Sequence, residues 1–348
     1  MTPREGDEVP IERLQALPKP ELHVHLDGSL RPSTMLALAR DRNVTMPESS
    51  EGALADHMLV SDAASLEDYL ERFETTLSVM QDAEAIERIA YELALDHAAE
   101  NVRYVEVRFC PLLNTAGTLS SDEVLDAALA GLDRAEGDAG IRTNLIVCAL
   151  RSHDPKWSME MADLAVAYRD RGVCGFDLAG GESGHPVRDH QEAFDRVARA
   201  ELPITVHAGE GYGPESIRQA IELGHAKRIG HGTRLFEDTS LLETVRARRI
   251  PLEVCLTSNV QTRVVSSYET HPAGRYLLDG LTISLGTDNR LMSGVSLSDE
   301  YAHARAAFDL SWTELVSIAR AGFEHAFVRP GERARLLSAF DEEVAELT

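Results

Sequence analysis

Residues 202–210 read LPITVHAGE, an apolar run that ends in a histidine and a carboxylate. Ile204 and Val206 are apolar and β-branched, which favours a buried strand. The run breaks at a glycine, so His207 and Glu210 fall at the carboxyl end of the predicted strand or just beyond it. A lone histidine at a strand end is more often a satisfied polar group than a ligand. The stretch therefore matters because similar stretches occur elsewhere in the chain.

Three other apolar stretches also end in groups that bind metal ions or move protons. They are ELHVHLDG (21–28) with His23 and His25, RIGHG (228–232) with His231, and LTISLGTDN (281–289) with Asp288. The two histidines of the first stretch are separated by one residue, so both imidazoles point to the same face of a strand. Together these strand ends favour a metal-dependent hydrolase as the leading hypothesis.

The bulk composition excludes several kinds of partner. The chain has 348 residues, 43% of them hydrophobic, and a formal net charge of −24. This charge repels phosphate backbones and anionic membrane surfaces, so we expect no nucleic-acid and no membrane partner. No stretch approaches the ~18 uninterrupted apolar residues of a membrane span, and the start of the chain has no secretory signal. The four cysteines never stand at CxxC spacing, which indicates buried free thiols in a cytoplasmic protein.

The order of predicted elements indicates one α/β domain over residues 1–348, a (β/α)₈ TIM barrel. The predicted strands are Glu21–Leu26, Tyr104–Cys110, Thr143–Leu150, Gly175–Ala179, Ile204–Ala208, Arg228–His231, Leu252–Leu256 and Leu281–Leu285. Predicted helices between them include Asp122–Ala135, Trp157–Arg171, Arg188–Ala200, Pro214–Leu223 and Thr239–Arg248. We expect residues 30–101 to form a helical insertion that walls a pocket, and residues 297–348 to form helices outside the barrel. A doubly wound sheet is the alternative, but the GxGxxG fingerprint that it usually carries is absent.

The predicted barrel places the polar strand ends where active sites of this fold lie. Three nitrogens and one oxygen, a set that suits zinc, come from His23, His25, His207 and Asp288. His231 is one group too many for a four-coordinate site, so we expect it to hydrogen-bond the attacking water. Glu210 is a candidate proton donor, although a carboxylate that caps the next helix is the alternative for this residue taken alone.

Other zinc arrangements match the sequence less well. HExxH of helical metalloproteases is absent, and so is HxE with PCxxC of the cytidine deaminases. Barrel hydrolases with two metals usually bridge them through a Lys or Glu that ends strand four. Strand four here reads GFDLAGGE and ends in small residues without a lysine. The sequence therefore predicts one Zn²⁺ per chain.

Five ordered motifs resemble the adenosine deaminase family of the amidohydrolase superfamily: ELHVHLDGSLRP, FDLAGGE, VHAGEG, RIGHG and SLGTDN. They extend from Glu21 to Asn289, which is most of the chain. The resemblance implies that the four predicted ligands hold zinc and that Asp288 also shares in catalysis. It further implies that Glu210 protonates purine N1 and that His231 orients the attacking water.

The resemblance also implies a set of substrate contacts. Gly180 matches the residue whose backbone N–H meets purine N3, and Asp27 matches the contact to the ribose 5′-hydroxyl. His25 is expected to face the substrate as well as the metal. A helical lid over the substrate is implied at the matching positions, Leu66, Tyr69, Leu70 and Phe73.

The sequence departs from the family pattern at two positions. Many members have two consecutive Asp residues after strand eight, but here Asp288 is followed by Asn289. The second Asp usually meets purine N7, which only accepts hydrogen bonds. The Asn289 amide can donate to N7 at any pH, whereas a carboxyl must be protonated to do so. Gly181 stands where an Asp is common, and both changes would ease accommodation of an anionic or bulky 5′ group.

The implied reaction is hydrolytic deamination of adenosine or 2′-deoxyadenosine to inosine or 2′-deoxyinosine plus ammonia, within purine salvage. The same chemistry on a 5′-modified adenosine, such as aminodeoxyfutalosine of menaquinone synthesis, is the alternative. Adenine is a weaker candidate, because the adenine-specific branch tends to carry HIEG where this chain has HLDG. A nucleoside-binding protein without catalysis would have lost a ligand or the acid, and all of them are present. The sequence leaves the oligomeric state open.

Overall fold

A computed structural model describes residues 9–60 and 72–347. Within these residues eight strands follow one another: β1 Lys19–His25, β2 Val102–Phe109, β3 Arg142–Leu150, β4 Val173–Ala179, β5 Thr205–Ala208, β6 Arg228–His231, β7 Leu252–Val254 and β8 Ile283–Leu285. Neighbouring strands pair in parallel, β1 to β4 in one group and β5 to β8 in another. Single bridges join the groups on both sides, Phe176 to Ile204 and Val24 to Asp288. The strands thus close into a barrel, which confirms the predicted (β/α)₈ fold.

Helices form the outer layer of the barrel. The described α-helices are Ile11–Ala16, Pro32–Arg42, Glu51–Met58, Phe73–Leu77, Ala83–Ala99, Ser121–Ala139, Pro155–Ala167, Gln191–Arg199, Pro214–Glu222, Thr239–Arg248, Leu256–Gln261, Ala273–Leu278, Arg290–Ser293, Leu297–Phe308, Trp312–His325 and Pro330–Glu346. Three 3₁₀ turns are also present, at Pro111–Asn114, Val187–His190 and Thr233–Glu237. In the part of the chain that the structure covers, no helix is both long and apolar enough to cross a membrane.

Local capping explains one difference between the predicted and observed helices. The helix predicted at Trp157–Arg171 runs from Pro155 to Ala167. Its start is earlier because the Asp154 side chain accepts a hydrogen bond from the backbone N–H of Lys156. A proline at the first helical position and a capping aspartate before it are both typical of a helix N-terminus.

The segment between β1 and β2 contains four described helices. The longest, Ala83–Ala99, packs along Ser121–Ala139, where a Cβ on Gly131 would lie 2.2 Å from the carbonyl oxygen of Glu87. Glycine is therefore needed for this close helix contact. Residues 61–71 hold Leu66, Tyr69 and Leu70 of the predicted lid and lie outside the described residues.

The helices after β8 cover the outside of the barrel. Trp312–His325 packs against β1 and β8, and a Cβ on Gly322 would lie 2.5 Å from Cγ of Pro20. The helix Trp312–His325 therefore packs against both β1 and β8 on the outside of the barrel.

The barrel interior carries paired charges as well as apolar side chains. Arg108 Nη1 lies 2.9 Å from Asp177, and Arg108 Nη2 lies 2.8 Å from Glu253. Arg228 Nε lies 2.6 Å from Glu253, and its Nη2 pairs with Glu106. All five side chains are buried. Burial of an unpaired charge is costly, so each member of this network depends on its partners.

Candidate metal centre and active site

The hydrogen bonds that join β1 to the segment after β8 also place three predicted metal ligands. The backbone N–H of Asp288 donates to the carbonyl of His23 (2.8 Å), and the N–H of His25 donates to the carbonyl of Asp288 (2.7 Å). His23 and His25 lie on one strand and Asp288 follows another, so the closure of the barrel fixes their relative positions.

The donor atoms of four side chains converge on one point. His207 Nε2 lies 3.0 Å from His23 Nε2 and 3.1 Å from His25 Nε2. Asp288 Oδ1 lies 3.6 Å from His23 Nε2 and 3.4 Å from His25 Nε2. Ligands held ~2.0–2.1 Å from a zinc ion are separated by comparable distances. Three imidazole nitrogens and a carboxylate oxygen at these separations fit a divalent cation such as zinc.

Buried carboxylates orient two of the imidazoles. His23 Nδ1–H donates to Glu253 Oε2 (2.8 Å). His207 Nδ1 lies 2.9 Å from Asp177 Oδ2, close enough for an ion pair although the two groups are not aligned as a hydrogen bond. Burial alone would raise the pKa of Asp177, but His207 and Arg108 hold that pKa well below its usual range. These contacts keep the ring hydrogens on Nδ1 and leave the Nε2 lone pairs directed at the metal site.

His231 lies beside this group and could reach a metal ion together with His23, His207 and Asp288. Its ring centroid is 4.9 Å from that of His23, and one of its nitrogens lies within 4.8 Å of donor atoms of His23, His207 and Asp288. By comparison, His25 Nε2 lies only 3.1 Å from His207 Nε2 and 3.4 Å from Asp288 Oδ1. His231 Nδ1 faces the Asn259 amide nitrogen at 3.1 Å, and its Nε2 lies 3.5 Å from Glu210 Oε2. The shorter separations support the prediction that His25 belongs to the ligand set and His231 to the cavity side, and the assignment stays a prediction.

Sharp backbone turns at the strand ends direct these side chains into the cavity. His231 and Asp288 have φ angles of 61° and 58°, which residues with a Cβ rarely adopt. Such strained positions persist where the surrounding structure holds them, often at functional sites. Gly230 makes room for the imidazoles, because a Cβ there would lie 3.0 Å from His23 Cε1 and 3.1 Å from His207 Cα.

Glu210 is buried on a loop that a second carboxylate holds in place. Glu182 accepts hydrogen bonds from three successive backbone N–H groups, those of Gly209 (3.0 Å), Glu210 (2.7 Å) and Gly211 (3.0 Å). Burial raises the pKa of Glu210 well above its usual range, and the negative charges of Asp288 and Glu182 raise it further. This shift of the pKa favours the protonated form of Glu210, which is the form that can act as an acid.

All of these groups except the fully buried His23, namely His25, His207, Glu210, His231 and Asp288, line a cavity of about 430 Å³. Further predicted residues on its wall are Asp27, Phe73, Gly180, Gly181 and Asn289. A larger groove of about 650 Å³ lies outside the barrel, and none of the predicted site residues lines it.

Two polar side chains of the cavity wall, Asp27 and Asn289, are almost fully buried. Oδ1 of Asp27 and Oδ1 of Asn289 are buried and have no hydrogen-bond partner among the described residues. Burial raises the pKa of Asp27 to about 7. Gly28 allows the Asn289 side chain to approach, because a Cβ there would lie 1.7 Å from Asn289 Oδ1.

Residue-level reasoning from the sequence missed Asp177, Glu182, Glu253, Ser258 and Asn259. Ser258 Oγ–H donates to Asp288 Oδ2 (2.7 Å), and Asn259 lies between His231 and Glu210. Both follow β7 in CLTSN, so the strand-end argument applied to β7 would have found them.

An α/β barrel with a metal-type donor set and a buried acid at the carboxyl ends of its strands defines a hydrolase of the amidohydrolase type. A family model described as adenosine deaminase matches residues 18–343. Adenosine deaminase of Clostridium acetobutylicum is 40% identical over 95% of this chain and 99% of its own length. The chain belongs to the adenosine deaminase family and is an enzyme of that family.

Solved structures agree with this assignment. The N6-methyl-AMP deaminase of Arabidopsis thaliana has a TM-score of 0.86 and 30% identity, covering 97% of this chain and 100% of its own. An amidohydrolase of Burkholderia ambifaria, solved with bound zinc, has a TM-score of 0.86 and 25% identity, covering 99% of this chain and 97% of its own.

Proposed function

We propose that this enzyme deaminates adenosine and 2′-deoxyadenosine, releasing ammonia and leaving inosine or 2′-deoxyinosine, with one zinc ion per chain. The proposal places it in purine salvage and in the cytoplasm, where its four buried free cysteines would stay reduced. The observation that carries the proposal is a buried acid, Glu210, on the wall of the same cavity as the proposed metal ligands His25, His207 and Asp288.

His23, His25, His207 and Asp288 would hold the zinc ion. When bound, zinc lowers the pKa of a water molecule towards ~7 and so supplies a nucleophile at neutral pH. Ser258 keeps the second oxygen of Asp288 occupied, so that Oδ1 remains directed at the metal site.

The protein side chains supply the proton transfers. Glu210 donates its proton to purine N1, which withdraws electrons from C6 and makes this carbon open to attack by water. His231 donates a hydrogen bond from Nε2 to the attacking water and holds its oxygen on the correct face of the ring. Water replaces the amino group at C6: one proton of the water leaves with the amino group as ammonia, the other returns to Glu210, and the 6-oxopurine keeps the proton on N1.

The wall of the cavity would hold the nucleoside. Asp27 would bond the ribose 5′-hydroxyl, Gly180 would offer its backbone N–H to purine N3, and Asn289 would donate its amide to N7. His25 would face the substrate next to the metal. The lid proposed to cover the ribose comprises Leu66, Tyr69, Leu70 and Phe73, of which Phe73 lines the cavity.

The charges of the cavity favour a nucleoside over a nucleotide. Asp27, Glu74, Glu210 and Asp288 line it, and no lysine or arginine does so among the residues described. The segment 61–71, SDAASLEDYLE, also contains neither residue. A 5′-phosphate would therefore face the carboxyl groups of Asp27 and Glu74 with no lysine or arginine among the described lining residues to pair with, which disfavours AMP and N6-methyl-AMP.

A 5′-modified adenosine such as aminodeoxyfutalosine is the second candidate. Gly181 lines the cavity and leaves space where a longer side chain would stand. The carboxylate of aminodeoxyfutalosine would face the same acidic side chains as a 5′-phosphate, so we rank this substrate below adenosine.

Release of ammonia, or of methylamine in the case of N6-methyl-AMP, by the zinc-loaded enzyme tests the substrate proposal. The panel comprises adenosine, 2′-deoxyadenosine, adenine, AMP, N6-methyl-AMP and aminodeoxyfutalosine. We expect kcat/KM for adenosine to exceed that for AMP by about 100-fold or more, since like charges placed together cost several kcal/mol. A higher kcat/KM for adenine, AMP, N6-methyl-AMP or aminodeoxyfutalosine than for adenosine and 2′-deoxyadenosine would overturn the proposal. His207→Ala should lose zinc and activity together, with elemental analysis as the readout.

A further inference from the structure

Asn259 lies between the two groups that handle protons in the proposed reaction. Its side chain is fully buried. Its amide nitrogen lies 3.1 Å from His231 Nδ1 and 3.4 Å from Glu210 Oε1. One amide group therefore contacts both the proposed acid and the proposed water-orienting histidine.

The surroundings of Asn259 determine which way its amide points. The amide oxygen accepts hydrogen bonds from Thr233 Oγ1 and from His271 Nε2, each at 3.1 Å. His271 Nδ1 accepts a hydrogen bond from the backbone N–H of Ala273 (3.1 Å), which leaves the ring hydrogen on Nε2. Two donors face the amide oxygen, so the amide nitrogen must face His231 and Glu210.

The direction of these bonds decides the tautomer of His231. Because the Asn259 amide donates to Nδ1, the ring hydrogen of neutral His231 lies on Nε2. Nε2 is the nitrogen that faces Glu210 Oε2, at 3.5 Å. A nitrogen that carries hydrogen donates hydrogen bonds and offers no lone pair to a metal. This explains how an imidazole so close to the ligands can act on the attacking water instead.

The state of His271 makes the chain of bonds stable against pH. Burial lowers the pKa of His271 to about 3, so the ring is neutral at any pH at which the enzyme is expected to work. A protonated ring would donate from Nδ1 as well and would lose the bond from Ala273.

We propose that Asn259 and His271 are positioning residues that fix the Nε2–H tautomer of His231 and hold Glu210 beside it. The inference rests on the proposed deamination and adds a series of directed hydrogen bonds, Ala273 N–H to His271 to Asn259 to His231. Neither residue touches the substrate or the metal ligands in this scheme. Their effect on turnover passes through His231 and Glu210.

Asn259→Asp reverses the donor at the centre of this series while keeping the size of the side chain. A carboxylate accepts hydrogen bonds, so it would draw the ring hydrogen of His231 onto Nδ1 and leave Nε2 without one. We expect kcat to fall by about 100-fold or more, the scale of a lost proton-transfer arrangement, with KM changed less than about threefold and one zinc still bound. Gln15→Glu is the control, an amide-to-acid change at an exposed position that does not line the cavity, and should keep wild-type kcat.

Changes at His271 test the outer part of the series. His271→Phe removes the donor to Asn259 and should lower kcat by about 10-fold, as expected for one lost hydrogen bond. His271→Gln can still donate to the Asn259 oxygen and should recover most of that loss. Zinc content and thermal unfolding of each variant identify a protein that has simply failed to fold.

NMR of zinc-loaded enzyme with ¹⁵N-labelled histidine gives a readout that does not depend on turnover. The resonances of His231, assigned by their loss in a His231→Gln sample, should show hydrogen on Nε2 in the wild type and on Nδ1 in Asn259→Asp. A wild-type spectrum with hydrogen on Nδ1, or Asn259→Asp with wild-type kcat, would overturn the inference. If the wild type released no ammonia from adenosine, the proposed reaction would fail while the tautomer measurement would still decide the hydrogen-bond assignment.

Discussion

Replacement of Glu182 by glutamine should destabilise the loop that carries Glu210 and should lower the pKa of Glu210. Glutamine keeps one oxygen for the N–H groups of Glu210 and Gly211, but its NH₂ group would face the N–H of Gly209. One charge-assisted bond is then lost, which should lower the free energy of unfolding by about 1.5–3 kcal/mol. Displacement of Glu210 should also reduce kcat, by about 10-fold or more.

The pH dependence of Glu182→Gln separates this explanation from simple destabilisation. Burial is the largest cause of the raised pKa of Glu210, followed by the charges of Asp288 and Glu182. Removal of the Glu182 charge lowers the pKa of Glu210, so the acid loses its proton at a lower pH. The decline of kcat/KM on the alkaline side should therefore begin at a lower pH than in the wild type.

The assays are urea unfolding and kcat/KM for adenosine against pH, both with zinc-loaded protein. Glu215→Gln is the control, because Glu215 is an exposed carboxylate on the next helix. It should leave both measurements unchanged. The role assigned to Glu182 would be refuted if Glu182→Gln had the wild-type free energy of unfolding and if its kcat/KM declined at the same alkaline pH as that of the wild type.

Three further changes probe other parts of the site. Glu210→Gln should retain zinc but lose roughly 10²-fold or more in kcat, because an amide cannot protonate N1; single-turnover kinetics check this. If Asn289 donates to N7, 7-deazaadenosine should lose roughly 1–3 kcal/mol, about 5- to 150-fold in kcat/KM, and Asn289→Ala should abolish that discrimination. Arg108→Met should destabilise the fold by about 3–5 kcal/mol in urea unfolding, because it leaves Asp177 and Glu253 buried without their cation. A Met variant as stable as the wild type would show that these carboxylates do not depend on Arg108.

The strand-end pattern predicted much of the fold and of the proposed site because both depend on local sequence. Apolar runs mark the strands of a parallel barrel, and a polar residue where such a run stops marks the end at which active sites form. His207 and Asp288 could be selected in this way without knowing what lies beside them.

The supporting contacts could not be predicted from the sequence, because they join residues that are distant in the chain. Glu253 and Arg108 occur inside apolar runs, where a charged residue reads as an interruption of the strand. Only the closed barrel shows that they meet each other and His23. Likewise, no spacing rule connects Glu182 with the loop at Glu210.

The seam between the first and last strands has a consequence for the biosynthesis of the enzyme. His23 is made early and Asp288 late, with most of the chain between them, yet their backbones bond directly and their side chains share the proposed metal site. A nascent chain on the ribosome cannot complete this donor set until its eighth strand has emerged and docked. Metal loading should therefore be one of the last events of maturation, and zinc bound across the seam would then hold the two ends of the barrel together.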